Sequence, residues 1–469
     1  MRYRKGQGFV WVAVVCLSLI IALQASLVSA DEVSPPAVQG TITTSATYEQ
    51  DGGTVTKANQ TYTATQTDQS AVHVTGGGVF YLSDSIIETS GNTSSNDNSS
   101  FYGLNAAVLA DGEGSDAGEI HLTNVAITTT GTGANGAFAS GEGSAVTLED
   151  VTIYATGDGG HGVMATLEGE MTLTNVDMST AGKNSGAIAT DRGSGTIVVT
   201  GGVVQTSGAD SPGIYSTGKI DVTGGVITAT GSESAVIEGS NYITLTDTLL
   251  TSSMVDKWGV FIYQSMSGDA EGAEGVFTMN GGKLANTATT GPLFYVTNAT
   301  GYITLEDVEV LAASGTLLQA EANSRWGTSG ENGGTAYLVA TDQALTGDLI
   351  ADSISAITAT LQSGSYLTGS INSDQEASWV SLTLDASSSW DVAADSYLNC
   401  LYLPDGLPAA LTTPIPNIIG NGYTVYYKAS SCSALDGETY SLTDGGYLKP
   451  TGSSDTDDYS LFLPLVVRE

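Results

Sequence analysis

Apolar residues in this chain fall in short runs, and one run keeps returning. A hexapeptide that opens on an apolar residue occurs as LSDSII at 82, LTNVAI at 122, LEDVTI at 148, LTNVDM at 173, VTGGVV at 199, VTGGVI at 222, LTDTLL at 245, MNGGKL at 279 and LEDVEV at 305. From 122 onward the copies start 26, 25, 26, 23, 23, 34 and 26 residues apart, and the long step carries an insertion near residues 254–275. The third position reads Asn124, Asp150, Asn175, Gly201, Gly224, Asp247, Gly281 and Asp307. Glycine adopts positive φ freely, and Asn and Asp do so with help from local hydrogen bonds. One left-handed residue between two short extended stretches bends the chain sharply. Each hexapeptide therefore predicts a strand, a one-residue corner and a second strand.

A Gly-rich segment follows each hexapeptide and leads to another short apolar stretch: GAFAS at 136, GVMAT at 162, GAIAT at 186, GIYST at 213, AVIEG at 235 and LFYVT at 293. That makes three short strands in a unit too small to bury its own apolar face. Stacked on copies of itself, each strand pairs in parallel with its counterpart about 4.8 Å away. The pattern predicts an all-β solenoid of three strands per coil, a parallel β-helix. Leu122, Leu148, Leu173, Val199, Val222, Leu245 and Leu305 should stack along its interior. No 3.6-residue period persists, which excludes amphipathic helices. A propeller needs repeats of roughly 40 residues, and a β-sandwich would not repeat its sequence.

Around this array the chain divides into residues 1–30, a Thr-rich entry cap and first coil at 31–70, the coils at 71–403, and a changed, Pro-bearing pattern at 404–469. A second insertion, near residues 320–336 and containing SRWGTSGENGG, reads as an exposed loop. Shorter coils follow at LTGDLI and LTGSIN, then SLTLDASSSWDVAADSYLNCLYL at 381–403. A solenoid needs its open end covered, or its free strand edges pair with other molecules. Residues 404–469 are expected to form that cap.

Composition changes the picture in two ways. Arg2, Arg4 and Lys5 precede an apolar run from Phe9 to Leu23, and Val28-Ser29-Ala30 ends the segment, which together predict a secretory signal peptide. The alternative, an uncleaved anchor, is disfavoured because a spanning helix needs about 20 apolar residues. No later run is long enough to span a membrane. The charge is -37, from 50 acidic and 13 basic residues, and cleavage removes only basic ones. Such a surface repels nucleic acid and anionic lipid. Cys400 and Cys432 are then the two remaining cysteines. Export favours a disulfide between them over two separate thiols.

With those residues in view, the coils at 106–315 resemble exported bacterial right-handed parallel β-helix proteins of the pectin-lyase-like superfamily. LTLDASSSWDVAADSYLNCLYL resembles the end of autotransporter-type adhesin passengers, with a Ser-Ser-Trp turn and a following Ser-Tyr-Leu strand. NIIGNGYTVYYKAS and ETYSLTDGGYLKP resemble the terminal part of adhesin-like β-helix proteins. The resemblance implies a right-handed parallel β-helix with a small C-terminal β cap, displayed at the cell surface or secreted. Roughly 65 residues follow the last coil, fewer than a translocator barrel of many ten-residue strands requires, so no translocator is expected. A Leu-Pro-x-Thr-Gly sorting signal is absent. The tail LFLPLVVRE reads either as a sorting signal or as a capping strand.

The superfamily includes polysaccharide lyases and glycosidases, so chemistry must be weighed. Its hydrolases carry Asn-Thr-Asp, Asp-Asp, Gly-His-Gly and Arg-Ile-Lys in order, with clustered carboxylates around the scissile bond. Only Gly160-His161-Gly162 matches. His161 falls where Asn135 and Ser185 fall in neighbouring copies, so it reads as a tile of the repeat. Thr190-Asp191-Arg192 comes one coil later, in the wrong order. No catalytic residue is expected. No zinc spacing and no Ca²⁺-binding nonapeptide is found, so no cofactor is expected beyond weak surface Ca²⁺ on unnamed carboxylates. Thr-rich strand ends do not keep a Thr-x-Thr spacing between coils, which disfavours an ice-binding ladder.

One feature could carry function. Phe138, Met164, Ile188, Tyr215, Ile237 and Tyr295 form one column of the third strand; Ala137, Val163, Ala187, Ile214, Val236 and Phe294 form the other. If the smaller column is internal, the larger is an apolar stripe along the rod, and such patches mark interaction surfaces. If the larger is internal, the stripe vanishes. The expected function is a non-catalytic, exported adhesin or matrix-contacting rod whose partner is a host or neighbour-cell protein or glycan. The alternative is a polysaccharide lyase or glycoside hydrolase.

Overall fold

The computed structural model describes residues 44–408 and 413–451. The signal segment 1–30, the start of the entry cap and the tail LFLPLVVRE lie outside the described residues.

The chain is all-β, with parallel strands in a solenoid-like arrangement compatible with a β-helix. The repeat sets the register. Leu82, Leu122, Leu148, Leu173, Val199, Val222, Leu245, Met279 and Leu305 pair each with the next, coil upon coil. All are buried, and they join one continuous core. The third hexapeptide position is left-handed in every copy, with φ between +48° at Asp247 and +69° at Gly201. In some coils the two arms run through the corner as one strand, as in Glu119–Thr129 and Tyr242–Ser252. In others they split, as in Gly169–Thr174 and Asp177–Thr180.

The third strand of each coil belongs to a separate sheet, which includes Val108–Asp111, Ala137–Ser140, Val163–Thr166, Ile188–Thr190, Ile214–Ser216, Ala235–Glu238, Val260–Tyr263 and Phe294–Thr297. At the N-terminal side, Ser45–Asp51, Thr54–Ala58 and Thr61–Ala64 already pair with the coil above. Residues 45–64 are thus a coil in their own right. Tyr48 stacks on Phe80 at 4.7 Å, with Tyr62 beside them, and closes the interior there.

Parallel pairing continues past residue 404: Ile415–Ile419 pairs with Ser389–Val392, and Thr424–Tyr427 with Ser396–Leu398. The one antiparallel pair among the described strands is Tyr440–Thr443 with Tyr447–Pro450. It turns the ladder back on itself and offers no parallel edge to a further coil. Trp390, of the Ser-Ser-Trp turn, is fully buried and donates its indole N–H to the Gly369 carbonyl at 2.9 Å. Cys400 and Cys432 are joined by a disulfide that ties the segment 428–436 to the last long coil.

Candidate functional site

Strands of the third sheet are buried on both faces: Ala137–Ser140, Val163–Thr166, Ala235–Glu238 and Val260–Tyr263 have no exposed residue. One face lines the core. The other carries an outward column whose register runs Leu109, Phe138, Met164, Ala189, Tyr215, Val236, Phe261, Tyr295. Phe138, Met164, Tyr215 and Tyr295 therefore stand on the outward column. Ile188 and Ile237 do not. They turn inward into the core, and Ala189 and Val236 take the outward places. Matching the apolar stretches by residue size shifted these two coils by one residue, and a one-residue slip exchanges the faces of a strand. Phe261, inside the inserted copy, completes the column.

The column is not bare. The helix Asn96–Tyr102, capped by Ser95 and ended by Gly103 at φ +71°, lies over its first half. A Cβ on Gly103 would come within 2.6 Å of Leu109 Cδ1 and 2.8 Å of Phe138 Cγ, so only glycine lets the helix end rest there. Thr166 Oγ1 donates to the Phe101 carbonyl at 2.8 Å. Over the second half, Trp258 stacks on Tyr295 at 4.2 Å, and Trp326, from the second insertion, packs on Tyr263 and Phe261.

Between the two covers the column meets a polar cluster. Glu238, 2% exposed, accepts hydrogen bonds from the Tyr215, Tyr263 and Ser265 hydroxyls. Arg192 pairs with Asp269 at 3.0 Å and lies 3.8 Å over the Phe101 ring. Asp191 accepts from the Arg192 amide at 2.7 Å. Burial raises the Asp191 carboxyl to about 7, opposed by that amide and reinforced by the charges of Asp269 and Glu238. Burial and Glu238 push the Tyr263 hydroxyl well above its ordinary range. Asp191, Glu238 and Asp269 stand 47 and 31 residues apart in sequence. Only the coil register and the folded insertion bring them together, so no motif marked them.

His161 occupies a turn ladder. Its backbone N–H donates to Asn135 Oδ1 at 2.9 Å, and its Nδ1 lies at the same distance from that oxygen. Ser185 and Ser211 continue the ladder in the following coils. Burial pushes the imidazole down to about 4, against a hydrogen bond with the Gly159 backbone. It lies apart from the acidic cluster in these contacts. Among the described residues, no three His, Cys, Asp or Glu side chains are grouped so as to hold a metal ion. No helix of the described residues is long and apolar enough to cross a membrane.

The corner sheet shows a second feature. Tyr242, Val276, Tyr302 and Tyr337 follow one another in register on its outward side. The three tyrosines are exposed, and the Tyr302 and Tyr337 rings stack at 5.1 Å. The sequence reading missed this column because Tyr242 and Tyr302 fall three residues before their hexapeptides, where other copies carry residues as different as Val79, Glu119, Ala145 and Lys219, so no pattern marks the position. No protein-family model and no curated protein matches the chain.

Proposed function

We propose that this chain is an exported, right-handed, three-strand parallel β-helix of the pectin-lyase-like type that works as a binding rod without catalysis, in contact with a surface protein, a glycan or matrix. Right-handedness is supported by the strong preference of parallel strand crossovers for that hand. The observation that carries the binding reading is the exposed column Tyr242, Tyr302, Tyr337, which no segment of the described chain covers. Aromatic side chains of this kind dominate recognition surfaces. A strongly acidic chain selects against anionic partners. A glycan and protein array probed with residues 31–469, and with the Tyr302→Ala/Tyr337→Ala variant, tests it: binding should be present in the first and lost in the second.

A second reading has one observation behind it. Asp191, with its carboxyl raised to about 7, belongs to the same cluster as Glu238, and two carboxyls of differing value are the equipment that cleaves glycosidic bonds. Against it, both Glu238 oxygens are already engaged by hydroxyls of the protein. Release of reducing ends from a neutral polysaccharide, abolished by Asp191→Asn, would replace the binding reading with this one.

A further inference from the structure

Residues 264–273 leave the strand Val260–Tyr263 and fold back over the sheet before the strand Glu274–Asn286 begins. This arm is held at three kinds of contact. Its own turns close through Gln264, whose Nε2 donates to the Ala270 carbonyl at 3.1 Å and to that of Gly272. Its backbone is anchored by Ser240 N–H to the Glu271 carbonyl at 2.8 Å and by Asn298 Nδ2 to the Gln264 carbonyl at 2.6 Å. Its polar side chains meet the cluster: Ser265 on Glu238, and Asp269 on Arg192.

The charges at that contact do not balance. Three carboxylates, Asp191, Glu238 and Asp269, share one guanidinium in a space that is closed around Glu238 and partly open at Asp269 and Arg192. Ionised together they would crowd a net charge of about minus two around one guanidinium in a partly buried site, which raises the cost of ionising all three. The closed arm therefore favours a proton on one of them. Glu238 has three hydroxyl donors and Asp269 has the guanidinium, whereas Asp191 has one backbone N–H. Continuing the register of Ala189 with Tyr215 and of Ser216 with Ile237 places Thr217 between Asp191 and Glu238. Its hydroxyl is buried there with no hydrogen-bond partner.

We infer that the arm 264–273 is a proton-operated latch: it closes over the cluster while Asp191 is protonated and is released when Asp191 ionises. The groups facing Asp191 are Arg192 beside it, Tyr215 and Glu238 from the next coils, and Asp269 from the arm. Tyr263 lies beyond Glu238 with Arg325 near it, and the helix Asn96–Tyr102 contributes the uncharged Phe101. Only Arg192 offsets the new negative charge, and Asp269 already engages it. The raised Asp191 carboxyl, at about 7, sets the pH at which release is complete. In the open arm Asp191 returns to water and an ordinary carboxyl value, so closing takes up a proton and opening gives one back. The aromatic residues beneath, Tyr215 and Tyr263, lose their cover from one side.

Amide hydrogen exchange of residues 265–272 in the chain 31–469, followed from pH 5 to 8.5 and corrected for intrinsic exchange, tests this. Protection should fall by up to about tenfold per pH unit toward 7 and then level off, as release of one proton requires. Asp191→Asn, which keeps the shape without the ionisation, should stay protected with no such slope. Asp269→Asn should lower protection throughout and move the midpoint to lower pH, because it removes the ion pair that holds the arm and the repelling charge that helps raise Asp191. A flat profile in the parent chain, the same slope in Asp191→Asn, or an unmoved midpoint in Asp269→Asn would each overturn the latch. Circular dichroism at each pH confirms that the coils remain folded.

Discussion

Asn175 donates its side-chain amide to Asp150 Oδ1 at 3.3 Å, one coil away, and both residues hold the left-handed backbone, at φ +52° and +53°. The side chains of the corner thus bond to each other along the stack while their backbones make the bend. Asn124 and Asp84 repeat the arrangement at 2.7 Å. Where the corner is glycine, as at Gly201 and Gly224, the bend is kept and the side-chain ladder is lost.

The corner gives the first prediction. Asn175→Val should destabilise by about 1–2 kcal/mol or more, since a β-branched residue resists positive φ. Asn175→Gly should cost less, losing only an exposed hydrogen bond. Melting temperatures of the two variants decide the order. Valine tolerated better than glycine would contradict the corner.

The interior stack gives the second. Leu173 lies between Leu148 and Val199 with no exposed surface. Leu173→Asp buries a charge without a partner and should cost several kcal/mol. Thr172→Lys, one residue away on the exposed side, should change stability by less than about 0.5 kcal/mol. Denaturant midpoints of the pair separate an interior column from a surface one.

The covered stripe gives the third. Phe138 is fully buried although it stands on the outward column, because the helix Asn96–Tyr102 lies on it. Phe138→Ala should cost about 3–5 kcal/mol, as a core phenylalanine does. A loss under about 1 kcal/mol in chemical unfolding would mean that the helix does not rest there.

Much of this was legible in the sequence. The left-handed corners were, because Gly, Asn and Asp at one fixed position leave few backbone choices. The leucine stack was, because it opens every hexapeptide. The outward column was legible only in part. With strands of three or four residues and apolar residues on both faces, alternation cannot fix the register, and Ile188 and Ile237 were grouped in one column with Phe138 although they belong to the other. The covers were not legible, since NDNSSFY carries no apolar period long enough to announce a helix. The acidic cluster was not either: its members sit in different copies and in an insertion, where a repeat gives no warning.

Asp191 gives the fourth prediction. Its carboxyl is raised from the ordinary value to about 7, so the folded chain holds a proton that the unfolded chain has released. The stability it supports is complete below the ordinary carboxyl value and is lost as pH rises to about 7, on the order of 2–4 kcal/mol. His161, pushed down to about 4, acts in the opposite sense and weakens the fold as pH falls below its ordinary value. The difference in unfolding free energy between the parent and Asp191→Asn, measured from pH 4 to 8, isolates the carboxyl. It should change steadily up to pH 7 and then stay level.

The central claim, a rod that binds without cleaving, rests on Tyr302 and Tyr337. Calorimetric titration of residues 31–469 with a partner identified on the array tests it most directly. The account predicts a saturable heat with no continuing turnover, and an affinity reduced at least tenfold in Tyr302→Ala/Tyr337→Ala, equivalent to about 1.4 kcal/mol. A sustained heat of hydrolysis, or the same affinity in the variant, would contradict it.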